Sequence, residues 1–321
     1  MKNNTVVIGA GLSGLLVARE LASRGARVQV LEKARGVGGR MSTKRVGSAV
    51  FDQGAQFFTA RDEHFDARVQ CWARKGVVET WKNDESDHAR WVAKPSMTGL
   101  AKALARDLPV KLQSKVSAIR RHDCGCWEVD VEDGEIVRGE RIVLACPVPQ
   151  ALALLEAGEV ELPARLKSSL ATIDYHPCLA LLAILDGPSA VPAAGQKVTE
   201  GNLRWVADNV KKGIAQNVPA AVTFHVNSNY SLANYSATED EVFNDLAAEL
   251  QPWLGDAKIV GKKLHRWRFS EPIEPFERSH VWLPDLNLGF CGDAFGGARV
   301  EGAAVSGLDL ARQIVGSLQD S

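Results

Sequence analysis

Glycine residues near the amino terminus have a spacing that could bind a charged ligand. Gly9, Gly11 and Gly14 form a GxGxxG motif between a short apolar run and a stretch whose apolar residues recur at helical spacing. In such a strand-turn-helix unit the glycines permit a tight turn, and they let the amides at the helix start, near Leu12 and Ser13, approach a phosphate. The motif therefore predicts a site for the pyrophosphate of a dinucleotide.

Two further features follow the motif and extend the same predicted site. Glu32 ends a second apolar strand, at the position where an acid binds the ribose of a dinucleotide, and Lys33 comes next. Gly38, Gly39 and Arg40 then suggest a second loop on the same pyrophosphate, with the guanidinium making charge-assisted contacts. The first motif suits FAD and NAD alike, and the second loop is the feature that separates them.

These residues need a large core to position them, and the composition is suited to one. The chain has 321 residues, of which 45% are apolar and 24% charged, as expected of two globular domains or one interleaved unit. A formal net charge of -1 argues against nucleic acid as the main partner. No run approaches the ~20 apolar residues of a membrane span, and charge follows the first apolar run at once, so a cytoplasmic protein is expected.

The cysteine and histidine residues predict neither a disulfide framework nor a metal site. Six cysteines are scattered without a repeated spacing, which is typical of reduced thiols in a cytosol. Cys124 and Cys126 are two positions apart rather than three, so they form no CxxC pair, and the seven histidines show no cluster at zinc spacing. We therefore expect no bound metal and no relay of electrons from a flavin to a disulfide.

Beyond the amino terminus, the apolar pattern predicts two kinds of structure. Short strands are predicted within 110–119, 125–131 and 141–146, and a late apolar strand ends in Gly292 and Asp293 before the final helix. Residues 165–270 instead predict a separate sheet with one amphipathic helix over 238–254. No second GxGxxG unit occurs, so we expect no independent domain for a resident nicotinamide cofactor.

The string from Gly9 to Arg40, with Asp52-Gln53-Gly54-Ala55-Gln56-Phe57-Phe58 after it, resembles the FAD-containing amine oxidase superfamily. The second string resembles the renalase branch of that superfamily, as do Arg90-Trp91-Val92, His265-Arg266-Trp267 and the segments 291–293 and 299–302. The resemblance implies an α/β fold, in which a Rossmann-like FAD-binding domain of the amine oxidase or p-hydroxybenzoate hydroxylase type carries an interleaved α+β substrate domain built on a mixed β-sheet. The implied FAD-binding domain comprises residues 1–60, 95–165 and 270–321, and the implied substrate domain comprises 61–94 and 166–269.

The resemblance also implies which residues hold the cofactor and the substrate. FAD would be bound by Gly9, Gly11, Leu12, Ser13, Gly14, Glu32, Lys33, Gly39, Arg40, Ala55, Gln56, Phe57, Val116, Gly292, Asp293, Val300, Glu301 and Ala303. A dihydronicotinamide dinucleotide substrate would meet Phe57, Thr59, Arg61, His265 and Trp267, with Arg61 suited to a phosphate. The start of the final helix would face the flavin edge on which negative charge develops during reduction.

The implied activity is oxidation of the 2- or 6-dihydro isomers of NAD(P)H to NAD(P)+. The hydride would pass to flavin N5, and O2 would be reduced to H2O2. Such substrates gain aromaticity on oxidation and need no strong general base, which agrees with a sequence that shows no acid-base constellation. Ser96, Ala294 and Ala304 depart from the residues usual in relatives, and a wider cavity is expected at those points.

Two other functions remain open on the sequence. An amine oxidase or a desaturase acting on an apolar substrate would share the cofactor, although many amine oxidases have a lysine near N5 that the sequence does not locate. A binding protein on the same scaffold, similar to the GDP dissociation inhibitors, would need no catalysis. Glu32, Arg40 and Asp293 argue against that second alternative, and the oligomeric state is not readable from these residues.

Overall fold

The computed structural model of the protein describes residues 4–81 and 88–319. Residues 1–3, 82–87 and 320–321, which belong to the predicted segments 1–60, 61–94 and 270–321, lie outside the described residues. No helix within the described ranges is both long enough and apolar enough to cross a bilayer.

A six-stranded mixed sheet carries the amino-terminal motif. Five of its strands run parallel, and the edge strand β17 is antiparallel to β18, in the order β17-β18-β11-β1-β2-β7. The predicted first strand is apolar throughout because both of its faces are covered, with Val6 and Val7 fully buried. Numbered in chain order, the strands are β1 Asn4–Ile8, β2 Arg27–Leu31, β7 Val110–Lys111, β11 Arg141–Leu144, β17 Val281–Leu283 and β18 Leu288–Phe290.

Two helices from opposite ends of the chain pack together beside this sheet, α1 (Leu12–Ala22) and α10 (Val300–Gln319). Glycine residues allow α1 to lie close to the turn that precedes it, and α10 to lie close to α1. A Cβ atom on Gly14 would lie 2.2 Å from the Gly9 carbonyl oxygen, and one on Gly307 would lie 2.5 Å from the Ser13 carbonyl oxygen. The close approach brings the amino-terminal ends of both helices to the carboxyl edge of the parallel strands, where ligands bind in open α/β sheets.

The second large sheet is antiparallel and has the order β13-β14-β15-β12-β16. Its core-facing residues are Leu, Val and Phe side chains of the central strands, which helices cover on one side. The strands are β12 Tyr175–Leu185, β13 Gln196–Lys197, β14 Leu203–Asp208, β15 Ala220–Val226 and β16 Ile259–Pro272.

The single helix predicted over 238–254 is wrong, because the chain forms two helices there, α7 (Glu239–Asp245) and α8 (Ala247–Leu254), with α6 (Ser228–Ala233) before them. The predicted start is confirmed by a capping box, in which Thr238 and Glu241 each accept from the backbone of the other. At the junction Leu246 has φ -88° and ψ 3°, outside the helical region, and its side chain is buried in the sheet's core. The break therefore keeps α8 packed on the sheet.

Smaller elements connect the two sheets. A three-stranded antiparallel sheet has the order β10-β9-β8, and two hairpins pair β3 with β4 and β5 with β6. These strands are β3 Thr43–Val46, β4 Ala49–Asp52, β5 Val78–Trp81, β6 Arg90–Ala93, β8 Val116–Arg121, β9 Trp127–Val131 and β10 Ile136–Gly139. The remaining helices are α2 Glu63–Arg74, α3 Thr98–Ala105, α4 Val148–Ala157, α5 Ala164–Ala171 and α9 Asp293–Gly296, with a 3-10 turn at Gly39–Met41.

The predicted α/β class and Rossmann-like unit are confirmed by this arrangement. The six-stranded sheet is assembled from segments at both ends and in the middle of the chain, and the five-stranded sheet is formed by one continuous stretch. The domain boundaries inferred from the resemblance stay a prediction.

Candidate functional site

The turn between β1 and α1 leaves room for a ligand beside its backbone. Gly9 has φ +106°, a conformation that favours glycine, and its N–H donates to the Leu31 carbonyl oxygen at 2.8 Å. A Cβ on Gly11 would meet nothing within 4 Å, so the space beside Gly11 is open. Backbone amides at a helix start beside such space suit a pyrophosphate.

The Glu32 carboxylate lies beside that turn and is held in place by the backbone. Oε2 accepts from the Ala10 N–H and Oε1 from the Ala34 N–H, both at 2.8 Å, and the residue is 7% exposed. Each carboxylate oxygen has a second lone pair, so the group can accept from ribose hydroxyls as well. Its position agrees with the predicted ribose contact.

Arg40 and Asp293 form a bidentate ion pair, although they are 253 positions apart in the chain. Arg40 Nη1 lies 2.5 Å from Asp293 Oδ2, and Nη2 lies 2.6 Å from Oδ1. Arg40 Nη1 also donates to the Ser270 carbonyl oxygen at 3.3 Å. The pair therefore joins the second glycine loop, β16 and the short helix α9 at one point of the site.

A cavity of about 870 Å³ runs along the carboxyl edge of the six-stranded sheet and reaches the five-stranded sheet. That volume lies in the range usual for ligand and cofactor sites. Most of the predicted site residues line it: Gly9, Gly11, Leu12, Ser13, Glu32, Lys33, Gly39, Arg40, Ala55, Gln56, Phe57, Val116, His265, Trp267, Asp293, Val300 and Ala303.

Five predicted residues do not line this cavity: Gly14, Gly292, Glu301, Thr59 and Arg61. Gly14 is a packing residue against the β1 turn, as described above. The Glu301 carboxylate accepts from the backbone N–H groups of Arg61 and Asp62, the latter at 2.7 Å, so it braces the start of α2. The roles assigned to these five residues by resemblance stay predictions.

The segment from Gln53 to Phe57 is pressed against the glycine loop and forms one wall of the cavity. A Cβ on Gly54 would lie 1.9 Å from the Arg40 carbonyl oxygen, so only glycine fits there. Gln56 donates through Nε2 to the Asp52 and Gly54 carbonyl oxygens, whereas its buried Oε1 has no partner within the described structure. A buried side-chain oxygen without a described partner, on a residue that lines the cavity, fits a ligand that supplies a donor.

His265 and Trp267 stand next to each other on β16 in an edge-to-face arrangement, with ring centroids 4.3 Å apart. Trp267 Nε1 donates to the Gln53 carbonyl oxygen at 3.0 Å, which fixes the indole. Burial, with Lys44 and Arg266 adding repulsion, lowers the pKa of His265 to about 4. His265 is therefore neutral near pH 7, and its buried Nε2 has no partner within the described part of the chain.

An aromatic group of which the sequence singled out only Phe57 lies at the same end of the cavity. Phe57 lies 5.3 Å from Trp205 and 6.0 Å from Trp81, measured between ring centroids. The Arg90 guanidinium lies 4.7 Å from the centre of the Phe57 ring and 5.4 Å from that of Trp205. Trp205 lines the cavity, and its buried Nε1 has no hydrogen-bond partner among the residues that the structure describes. Sequence spacing could not find the group, because its members come from four separate strands and loops.

Arginine side chains dominate the charge at this end. Arg204, Arg266, Arg268 and Arg299 line the cavity there. Arg204 is paired with Glu271 at 2.5 Å, and Arg266 donates to the carbonyl oxygens of Tyr235 and Ala237. Arg268 and Arg299 are exposed, and no carboxylate among the described residues lies within ion-pair distance of either. The cavity therefore presents unneutralised positive charge.

A buried ion pair that the sequence did not reveal supports this wall from behind. Lys212 Nζ lies 2.7 Å from Asp52 Oδ2, and both side chains are 0% exposed. Asp52 also accepts from the Thr43 hydroxyl and the Met97 N–H. Neither Lys212 nor Asp52 lines the cavity. The pair joins the turn after β14 to the segment that leads into Gln53–Phe57.

The three departures from the family pattern, Ser96, Ala294 and Ala304, do not line the cavity, and the wider cavity expected at those points stays a prediction. Ala294 and Ala304 are buried in the two main cores, and neither lines the cavity. The Ser96 and Thr43 hydroxyl groups form a hydrogen bond at 2.9 Å, and Ser96 also does not line the cavity. Small residues at these positions are accommodated by packing around them.

The sequence shows no cysteine and histidine cluster at zinc spacing, yet three such residues lie close together in the structure. The turn between β8 and β9 brings His122, Cys124 and Cys126 together, with potential ligand atoms within 4.8 Å of one another. Their spacing along the chain, His-x-Cys-x-Cys, differs from the spacings typical of zinc sites. A tight hairpin turn shortens through-space distances between alternate residues, and this is what the sequence argument missed.

Two family models match the chain. An NAD(P)-binding Rossmann-like domain matches residues 7–70, and the flavin containing amine oxidoreductase model matches residues 76–315. Among curated proteins, one assigned as the flavin-containing monoamine oxidase AofH of Mycobacterium tuberculosis is 30% identical over 155 residues, which is 42% of this chain and 32% of that protein. The 4,4'-diapophytoene desaturase of Staphylococcus aureus is 38% identical over 65 residues, 20% of this chain and 13% of the desaturase. The chain thus matches a third or less of the length of these relatives.

Solved structures share the fold over nearly the whole chain. A protein of Exiguobacterium sp. 255-15 assigned as a protoporphyrinogen oxidase has a TM-score of 0.75 and 12% identity, covering 98% of this chain and 99% of its own. Putrescine oxidase bound to putrescine has a TM-score of 0.68 and 15% identity, with the same coverage. The cavity fits FAD in three respects: the space beside Gly11 is open, the Glu32 carboxylate lies beside the turn, and Gln56 Oε1 has no described partner. With its amine oxidoreductase match running through three quarters of the sequence, the chain belongs to the flavin-containing amine oxidoreductase family, and its cofactor is FAD.

Proposed function

We propose that the protein oxidises 2- or 6-dihydro isomers of NAD(P)H to NAD(P)+, with O2 as the electron acceptor and H2O2 as the product. FAD, when bound, supplies the acceptor for the hydride and returns two electrons to oxygen. The observation that carries the proposal is the charge of the cavity at the end formed by Phe57, His265 and Trp267.

That charge favours an anionic substrate over a cationic amine. Arg268 and Arg299 are without carboxylate partners among the described residues, whereas the nearby Glu271 is already paired with Arg204. An alkylammonium group would meet repulsion from the arginines and would find no free carboxylate among the described lining residues to neutralise it. The pyrophosphate of a dinucleotide would be attracted by the two guanidinium groups, which offer forked hydrogen-bond donors.

The side chains around the rings suit a reaction that needs orientation rather than proton transfer. Burial lowers the pKa values of both His225 and His265 to about 4, so neither imidazole is charged near pH 7. The Trp267 indole is fixed by the Gln53 carbonyl oxygen and offers a flat apolar surface. His265 Nε2, which has no partner among the described residues, is available for a hydrogen bond to a carboxamide, and the Phe57 and Trp205 rings lie 5.3 Å apart in the same cavity.

Within the described ranges, no lysine lines this end of the cavity. The lining lysines, Lys33 and Lys115, lie with Glu32 and Val116 at the other end, and Lys212 is held behind the wall by Asp52. A mechanism that requires an amine base beside the substrate therefore has no candidate among the lining residues. Dihydronicotinamide oxidation does not require one, because formation of the aromatic ring drives hydride loss.

The test is anaerobic mixing of the purified holoenzyme with each candidate substrate while the flavin absorbance is followed. We expect the 2- and 6-dihydro isomers of NAD(P)H to bleach the flavin absorbance after anaerobic mixing. Admission of air should then restore the absorbance, with one H2O2 formed per turnover. A flavin that stays oxidised with these isomers but is bleached by an amine such as putrescine would refute the proposal. Bleaching only by an apolar polyene would favour a desaturase.

A further inference from the structure

The turn between β8 and β9 holds three potential metal ligands that take no part in the cavity. Cys124 Sγ lies 3.2 Å from His122 Nδ1 and 2.7 Å from Cys126 Sγ. All three residues are solvent-accessible to some degree, and none of them lines the cavity. The group is thus open to a small solute and separate from the FAD site.

The turn itself is ordered by backbone hydrogen bonds. His122 N–H donates to the Cys126 carbonyl oxygen at 2.9 Å, and Gly125 N–H donates to that of His122 at 2.8 Å. Gly125 has φ +80°, which lets the chain reverse between the two cysteines. These bonds make the three side chains emerge from one short loop on the same side, so no large rearrangement is needed to bring the donors together.

We propose that His122, Cys124 and Cys126 form a binding site for one Zn²⁺ ion, with a fourth coordination position left to solvent. Two sulfur atoms and one imidazole nitrogen form a known zinc donor set, in which water or a substrate completes the tetrahedron. Soft thiolate donors also disfavour Mg²⁺ and Ca²⁺, which prefer oxygen.

The distances require only a small adjustment. Two sulfur atoms bound to one zinc at about 2.3 Å would lie about 3.7 Å apart in a tetrahedral site, against 2.7 Å between the two thiols here. The sulfur atoms must therefore separate by about 1 Å, which side-chain rotation at an exposed turn allows. The nitrogen-to-sulfur distance of 3.2 Å is already close to that of a shared metal.

A carboxylate stands behind the histidine. Glu128 Oε1 lies 4.0 Å from His122 Nε2, on the side of the ring away from Cys124. When Nδ1 binds a metal, Nε2 carries the proton, and a carboxylate in this position orients the ring. Glu128 also contacts Arg138 on β10, which holds it in place.

The test is zinc titration of the FAD-loaded protein by calorimetry, in the presence of a phosphine reductant that keeps the thiols reduced. Wild type should bind one Zn²⁺ per chain. Cys124→Ser and Cys126→Ser should each weaken zinc binding by more than about 100-fold, since loss of even an outer partner of a ligand costs 10–100-fold. Cys71→Ser, which removes a partly buried thiol on α2, is the matched control and should bind zinc as wild type does.

A second measurement needs no substitution. Zinc should protect Cys124 and Cys126, but not Cys71, from alkylation by iodoacetamide, with the modified residues identified by mass spectrometry. Wild type that takes up no zinc under reductant, or serine variants that bind zinc as tightly as wild type, would overturn the site. Flavin content should be equal in all variants, because the group does not touch the cavity.

Discussion

Replacing Glu32 with alanine should weaken FAD binding by about 10- to 150-fold. The carboxylate is 7% exposed and already fixed by the N–H groups of Ala10 and Ala34 at 2.8 Å, so it needs little ordering to accept from the ribose. A hydrogen bond to a charged group contributes about 1.5–3 kcal/mol, and each 1.4 kcal/mol is about a factor of ten in the dissociation constant. The lost carboxylate also leaves two backbone donors unmet, which lowers the stability of both the apoprotein and the holoprotein.

The assay separates these two effects. Apoprotein prepared by removal of the flavin is titrated with FAD, and the dissociation constant is compared among wild type, Glu32→Ala and Glu200→Ala, where Glu200 is an exposed loop acid of equal charge. Circular dichroism of each apoprotein checks that the fold is retained. A folded Glu32→Ala variant whose dissociation constant lies within threefold of wild type would show that Glu32 does not contact the ribose.

Three further perturbations test other parts of the structure. Arg268→Ala or Arg299→Ala should raise the KM for a dihydronicotinamide dinucleotide by about fivefold, as suits an exposed charge pair, and steady-state kinetics that show no rise would contradict the assigned phosphate contacts. Lys212→Met should lower the free energy of unfolding by about 3–5 kcal/mol because it leaves the Asp52 carboxylate buried without its partner; urea denaturation checks this, and Asp52→Asn in the same chain should restore part of the loss. Burial lowers the pKa of His225 to about 4 from its ordinary 6.5, so the unfolded chain binds more protons between these values and stability falls as pH drops through that window. The fall should be smaller in His225→Gln, and an unchanged pH profile would rule out His225 as its source.

The cofactor end of the site was predictable because its information is local. Gly9, Gly11, Gly14 and Glu32 lie within one strand-helix-strand unit, and the glycine requirements follow from backbone geometry alone. The structure places all of them as the motif indicates, with Gly14 in contact with the Gly9 carbonyl oxygen and Glu32 beside the turn.

The substrate end was predictable only in part. His265 and Trp267 were named and do line the cavity, whereas Thr59 and Arg61 do not. The Arg90 guanidinium over Phe57 and Trp205, and the buried pair of Lys212 and Asp52, escaped the sequence argument. Each joins residues from separate segments, so no spacing along the chain could reveal it.

The sequence by itself determined the nucleotide-binding unit, since short-range glycine and apolar patterns specify it, and the resemblance of its motifs to known proteins implied the α/β class and the family. Only the tertiary structure decided which charges meet. Arg40 forms an ion pair with Asp293, which is 253 positions away, and Glu271 forms one with Arg204. Arg268 and Arg299 line the cavity without a carboxylate partner in the described ranges. The net charge of -1 does not predict which groups pair, because it is only the sum of all charges. The attraction between two charged groups depends on the distance between them and on the solvent around them.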